Sequence, residues 1–157
     1  MVEADDSEAI RAIRNDVIEH STAMWTTHLI SPADGRKWLA ENLARRSAYV
    51  AEADGRVAGF ANWAPWRLKD GYRFTVEDSV YLLEGHQGRG LGGQLLRTLI
   101  DAARESGAHV MMASIEESNT RSVALHKRLG FEIVGTVPEA GTKFGRWLDL
   151  TMMRLAL

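Results

Sequence analysis

The chain contains no cysteine. Disulfides, thiolate nucleophiles and cysteine-based metal sites are therefore excluded. Its five histidines, His20, His28, His86, His109 and His126, are scattered, without the H-x-x-x-H spacing that sets two ligands on one helical face. No metal is expected. No apolar run approaches the ~18 residues of a membrane span, so no membrane partner is expected. The N terminus, MVEADDSEAI, is acidic and lacks the basic and apolar regions of a signal peptide, which makes the cytoplasm the expected compartment. The formal charge is -2, so no net field recruits nucleic acid. Low-complexity segments, repeats and linkers are absent as well. The 157 residues suit a single domain, 1–157, around one core.

What the chain does have is a change of period. DDSEAIRAIRNDVIEH carries apolar Ala9, Ile10, Ile13 and Val17 at helical spacing, with Asp6 or Ser7 placed to cap it. SPADGRKWLAENLARR is a second helix with Trp38, Leu39 and Leu43 inward and Ser31 before Pro32 as its start. Strand patterns follow in SAYVAEA and VAGFANWAPW, joined by the turn Asp54-Gly55-Arg56. RLKDGYRF is a polar, basic irregular segment, and TVEDSVYLL is a third strand running into a glycine loop. The helix GGQLLRTLIDAARESG buries Leu95, Leu96, Leu99, Ile100 and Ala103 and stops at Gly107. AHVMMASI, the helix NTRSVALHKRLG, FEIVGTV and WLDLTMMRL complete the order. Six strands, four helices and early hairpins predict an α+β fold with a mixed, mostly antiparallel central sheet flanked by helices.

The glycine loop GHQGRGLGGQLL has two readings. Gly88, Gly90 and Gly93 spell G-x-G-x-x-G, a dinucleotide fingerprint. Gln87 to Gly92 spell Q-G-x-G-x-G, also a loop for a pyrophosphate at a helix start. A nicotinamide-binding fold would open with its fingerprint and then repeat strand and helix. Here the glycines sit past the midpoint and only one further strand–helix unit follows. Glu116 and Glu117 do stand about 20 residues on, where a ribose ligand is wanted, so that test alone does not reject the dinucleotide. The second reading fits the surroundings better.

HQGRGLGGQLL followed by NTRSVALHKRLGFEIVG resembles the coenzyme A motif and following segment of the GNAT superfamily of N-acetyltransferases. Gln87, Gly90 and Gly92 match the Q/R-x-x-G-x-G/A loop; Asn119, Leu125, Gly130 and Phe131 match the later segment. STAMW, WAPWRLKDGYRFTVEDSVYL and GTKFGRWLDLTMM further resemble the phosphinothricin and methionine sulfoximine/sulfone N-acetyltransferases. The resemblance implies a three-layer GNAT-like domain and acetyl-CoA as cofactor. Counting an abbreviated first strand at MVEA, it places the pyrophosphate loop between strand 4 and the following helix. It also implies that Val80, Tyr81 and Leu82 contact the pantetheine, that Gly88, Arg89, Gly90, Leu91, Gly92 and Gly93 offer N–H groups to the pyrophosphate, and that Asn119 reaches the thioester end. Asn119 also suits a helix N-cap.

Amine acetylation needs a base for the ammonium, donors for the oxyanion and a proton for the leaving thiolate. Glu77 is expected as base, through water, and His126 as acid, where the superfamily usually has tyrosine. The acceptor is expected to be a small amino acid or analogue held by Arg67, Leu68, Lys69, Arg73, Glu77, Asp78 and Ser79. Arg73 is the first choice for its carboxylate. Trp63 and Trp66 either wall this pocket or pack in the core. The resemblance implies a homodimer, with Lys143 and Arg146 completing a pocket across it. The competing functions are a protein N-terminal or lysine acetyltransferase, which needs an open groove, and a non-catalytic acetyl-CoA-binding module.

Overall fold

The computed structural model describes all 157 residues. The elements are α1 (Ser7–His20), α2 (Pro32–Arg45), β1 (Ala48–Ala53), β2 (Arg56–Pro65), β3 (Thr75–Leu82), α3 (Leu91–Glu105), β4 (Val110–Glu116), α4 (Thr120–Arg128), β5 (Glu132–Lys143) and β6 (Arg146–Ala156). Two short 3-10 turns, Ala4–Asp6 and Asp70–Tyr72, complete them.

Local chemistry accounts for the boundaries. The Ser31 hydroxyl accepts from Asp34 N at 3.1 Å, with Pro32 at the first helical position, so α2 starts there. Asp54 and Gly55 both take positive φ, 53° and 72°, the geometry of a two-residue hairpin turn between β1 and β2. The Asn119 side chain accepts from Ser122 N at 3.1 Å and opens α4.

The strands form one sheet in the order β1-β2-β3-β4-β6-β5. Every neighbouring pair is antiparallel except β3–β4. This is the expected mixed, mostly antiparallel sheet. It excludes the nicotinamide-binding fold, whose sheet is built from parallel repeats. Each face carries its own core. On one, Leu95, Leu96 and Leu99 of α3 pack on Ala61, Val76, Met111 and Met153. On the other, Ile10 and Ile13 of α1 and Leu39 of α2 pack on Ala48 and Phe60. The sheet is thus the middle of three layers.

Three expectations are corrected. No strand forms at MVEA: Val2 N makes a single bond to Ala48 O, 3.1 Å, and a 3-10 turn follows. The glycine loop therefore follows the third strand, β3. Neither Asp6 nor Ser7 caps α1 through its side chain. The Asp6 carboxylate turns back to accept from Glu3 N at 2.7 Å and closes the 3-10 turn instead. Finally, the strand expected at FEIVGTV continues to Lys143 through Pro138, with register shifts at Ile133/Gly135 and Val137/Gly141. Proline is tolerated there because β5 is the sheet's edge.

Candidate active site

The site begins where the parallel pair comes apart. β3 and β4 pair only over Thr75↔Val110, Val76↔Met111 and Glu77↔Met112. Beyond them β3 stays with β2, and β4 stays with β6 as far as Glu116. The gap is a small cavity of about 60 Å³ bounded by Asp78–Tyr81 on one side and Ser114–Glu116 on the other. It runs beside a larger cleft lined by Gln87, Gly88, Gly90, Gly92, Gly93 and α4. Val80, Asn119 and Ser122 line both, so the two spaces share a wall.

The cleft has the chemistry of a pyrophosphate site. Gly88 and Gly90 take φ of 76° and 85°, which lets the backbone turn its amides inward. The first internal amide bond of α3 is Gln94 N to Gly90 O. The N–H groups of Gly88, Arg89, Gly90, Leu91, Gly92 and Gly93 therefore have no acceptor within the chain. Six successive free donors at the positive end of a 15-residue helix fit an anion. Arg89 and Leu91 are not among the residues that line the cleft; they alternate with the glycines that do. Arg121 and Arg128 of α4 also line this cleft.

Strand alternation separates the residues expected in one acceptor site. Val76, Asp78, Val80 and Leu82 face the α3/α4 layer; Glu77, Ser79 and Tyr81 face the α1/α2 layer. Glu77 stands at the parting of the strands, and the Ser114 hydroxyl donates to its Oε1. Burial raises its pKa, the Ser114 bond opposes that, the charge of Asp78 raises it again and Arg67 lowers it; the net direction is up. A carboxylate shifted this way is a better base than an exposed one.

Asp78 is set apart from Glu77 and Ser79. It is buried on the opposite face, with Oδ1 3.2 Å from His126 Nε2. His126 is buried as well, its Nδ1 2.8 Å from Ser122 O and its ring edge-on to Phe131 at 4.9 Å. Burial alone would lower the His126 pKa. The hydrogen bond and charge of Asp78 and the Ser122 carbonyl outweigh it, and the net shift is upward. His126 borders the cavity, with both nitrogens engaged.

The basic segment is also redistributed. Arg73 is exposed, hydrogen-bonds the Asp70 carbonyl at 3.2 Å and lies over Phe74. Leu68 is 99% exposed in the single chain, and Lys69 forms no ion pair. Arg67, stacked on Trp66 and Tyr72, is the cation whose charge reaches Glu77. Trp63 is core and Trp66 is half-buried beneath Arg67. Lys143 does not reach outward: its ammonium is buried against the carbonyls of Ser21 (2.5 Å) and Met24 (2.6 Å) in its own chain. Glu116 is no ribose ligand. It accepts from Ser118 N at 3.0 Å and from the Thr22 hydroxyl at 3.1 Å, tying the β4–α4 turn to the segment after α1.

Sequence reasoning missed Ser114, Ser122, Arg121 and Arg128. Ser122 lies four residues before His126, and Arg121 seven before Arg128, so helical spacing alone marks both pairs. Ser114 has no such signal, because its partner depends on strand register.

A mixed sheet whose parallel pair parts beside a glycine loop, with a shifted carboxylate on the other face, is the frame of an acyl-transferring enzyme. The chain belongs to the acetyltransferase (GNAT) family, whose model matches residues 10–131, and it is an acetyltransferase. It is 46% identical over 156 residues to the L-methionine sulfoximine/L-methionine sulfone acetyltransferase of Pseudomonas paraeruginosa, covering 97% of this chain and 90% of that protein. To the phosphinothricin N-acetyltransferase of Alcaligenes faecalis it is 36% identical, covering 100% of this chain and 81% of that one. The solved structure of yncA from Salmonella typhimurium with its cofactor acetyl-CoA superposes with a TM-score of 0.96 at 43% identity, over 99% of this chain and 91% of that one. Both the superfamily and the narrower resemblance are borne out.

Proposed function

We propose that the chain moves the acetyl group of acetyl-CoA to the α-amine of a small amino acid or analogue, of the kind represented by methionine sulfoximine, methionine sulfone and phosphinothricin. The observation that carries this reading is the placement of Glu77. It is half-buried on one face of the parting strands, while six free amide donors line the cleft on the other. Acetyl-CoA supplies an electrophilic acyl carbon and a thiol leaving group. The amides of residues 88–93 hold its pyrophosphate, and Val80, Tyr81, Leu82 and Asn119 flank the rest.

On the acceptor face Glu77, directly or through one water, takes a proton from the ammonium and leaves a nucleophilic amine. Arg67 pairs with the acceptor carboxylate, and Ser79 borders the same face. A backbone N–H of β3 stabilises the developing oxyanion. His126 restores the proton to the leaving sulfur as its Nε2–H breaks away from Asp78. Acetylation removes the amine charge of a toxic analogue, which gives the reaction a detoxifying use.

We also read the functional unit as a homodimer. Edge strand β5 and its partner β6 expose Ile133, Val134, Val137 and Trp147, the last 67% exposed. A second copy would cover this patch. Light scattering should then give twice the 17.5 kDa chain mass.

The test of function is thiol release from acetyl-CoA over a panel of amines, read with a thiol reagent that the cysteine-free chain cannot consume. Turnover on methionine sulfoximine, methionine sulfone and phosphinothricin supports the reading. Turnover only on a peptide or a polyamine overturns the acceptor. Acetyl-CoA binding without turnover on any amine favours a binding module.

A further inference from the structure

Asp78 is buried between the two proposed proton-transfer groups while serving as neither. It follows Glu77 in β3, and strand alternation sends its carboxylate through the sheet to His126 on α4. The His126 Nδ1 faces a carbonyl at 2.8 Å, and a carbonyl only accepts, so Nδ1 carries a hydrogen. The remaining ring nitrogen, Nε2, faces Asp78 Oδ1 at 3.2 Å. A carboxylate there favours the doubly protonated imidazolium, with Nε2–H aimed along that line.

The other carboxylate oxygen, Oδ2, is buried and has no hydrogen-bond partner. On β2, the register partner of Asp78 is Trp63, whose indole Nε1 is also buried and unpartnered. No cation from another element offsets Asp78. The charged and titratable groups around the pair are Glu77 and Tyr81 on β3 and Glu116 on β4, with Arg67 acting on Glu77 and Arg14 on Tyr81. Lys127 of α4 is exposed, and Arg128 lies at the glycine cleft. The negative charge of Asp78 therefore attracts the His126 imidazolium and repels the Glu77 carboxylate.

We infer that Asp78 is a positioning residue for the transfer: its carboxylate accepts the Nε2–H of His126, holds the ring beside the cavity with its proton in place, and sets one fixed negative charge between the acid and the base of the reaction. The inference rests on the roles proposed for Glu77 and His126 above. It has a directional consequence. Neutralising Asp78 removes the partner of the imidazolium, so His126 gives up its proton at lower pH. The same change removes a like charge beside Glu77, so Glu77 ionises at lower pH too. Both limbs of the kcat/KM profile then move together toward acid.

Asp78→Asn keeps the side chain's shape and removes its charge. The expected result is a shift of the alkaline limb by about one pH unit toward acid, the lower end of the range for losing a charge at hydrogen-bond distance, with a smaller shift of the acid limb in the same direction. The imidazole nitrogen signals of His126, read by NMR without any ligand, should titrate at lower pH by a similar amount. The affinity for acetyl-CoA, read by calorimetry, should stay within about threefold. In a His126→Gln background the alkaline limb should be lost, and Asp78→Asn should then move only the acid limb.

An unmoved His126 titration overturns the inference, and so does an alkaline limb unmoved by Asp78→Asn in the otherwise native chain. Should Asp78→Asn not fold, the native chain still decides. A His126 that loses its proton at or below the ordinary value of about 6.5 overturns the inference. Failure of the functional reading looks different: no amine in the panel turns over, or Glu77→Gln retains full activity, while the NMR titration still reports on Asp78.

Discussion

Ser114 on β4 donates its hydroxyl proton to Oε1 of Glu77 on β3, across the point where the two strands part. That bond favours the charged carboxylate and so opposes the burial that raises the Glu77 pKa. Ser114→Ala removes the opposition. The acid limb of kcat/KM, which reports the free enzyme's base, should move to higher pH. Activity should fall most on the acid side of the profile and least on its plateau. A limb that moves toward acid, or not at all, would show that the hydroxyl does not tune the base.

Glu77→Gln removes the base and keeps the size. Turnover on the best amine should fall at least ~10²-fold, the usual scale for a lost general base. Calorimetric binding of acetyl-CoA should be nearly unchanged, because Glu77 lies on the face opposite the glycine cleft. Equal losses of binding and turnover would instead mark Glu77 as structural.

Legibility followed the range of the interactions. Six strands, four helices and the glycine loop were readable because each rests on local periodicity or on turn chemistry within a few residues. Glu77 and His126 were readable as residue types in a recognisable pattern. The pairing of His126 with Asp78 was not, because it spans 48 positions and depends on β3 crossing α4 at one register. The same holds for Ser114 and Glu77, 37 positions apart. Asp78 was grouped with Glu77 and Ser79 because they are contiguous, yet a strand sends neighbours to opposite faces. Arg67 and Arg73 carry the same charge in one basic segment, and only the stacking of Arg67 on Trp66 and Tyr72 tells them apart. The length of β5 was hidden by Pro138 and Gly141, which read as turn residues but are accommodated on an edge strand.

Gly90 tests the loop. Its φ of 85° costs a residue with a Cβ about 1–2 kcal/mol. A Cβ built there meets nothing within 4 Å, so the penalty is conformational and not steric. Gly90→Ala should therefore fold, lose about that much stability in urea, and bind acetyl-CoA at least ~10-fold more weakly as the amides rotate out of line. Loss of stability with unchanged binding would separate the loop from the pyrophosphate.

Lys143 fastens the segment between α1 and α2. Its ammonium meets the carbonyls of Ser21 and Met24, the Thr22 hydroxyl meets Glu116, and Trp25 lies so close over Gly141 that a Cβ there would overlap the indole. Lys143→Met keeps the aliphatic stem and leaves those carbonyls without their donor, at a cost of about 1–3 kcal/mol in urea unfolding. Ala23 borders the cavity, so the loosened segment should also raise KM for the amine more than KM for acetyl-CoA. A stability loss with both KM values unchanged would confine Lys143 to folding.

His126 should leave a signature in stability as well as in rate. Its folded pKa is raised above the unfolded value of about 6.5. The folded state therefore holds a proton that the unfolded state has released, in the window between those two values. Stability varies with pH as the difference in bound protons, unfolded minus folded, so its slope there is negative. The contribution is fully present below about pH 6.5 and is lost as the pH rises through the folded pKa. Urea unfolding between pH 5 and pH 9 should show this decline in the native chain. His126→Gln should flatten it. A decline that persists unchanged in His126→Gln would assign it to another group and leave the Asp78–His126 pair without a charged form to stabilise.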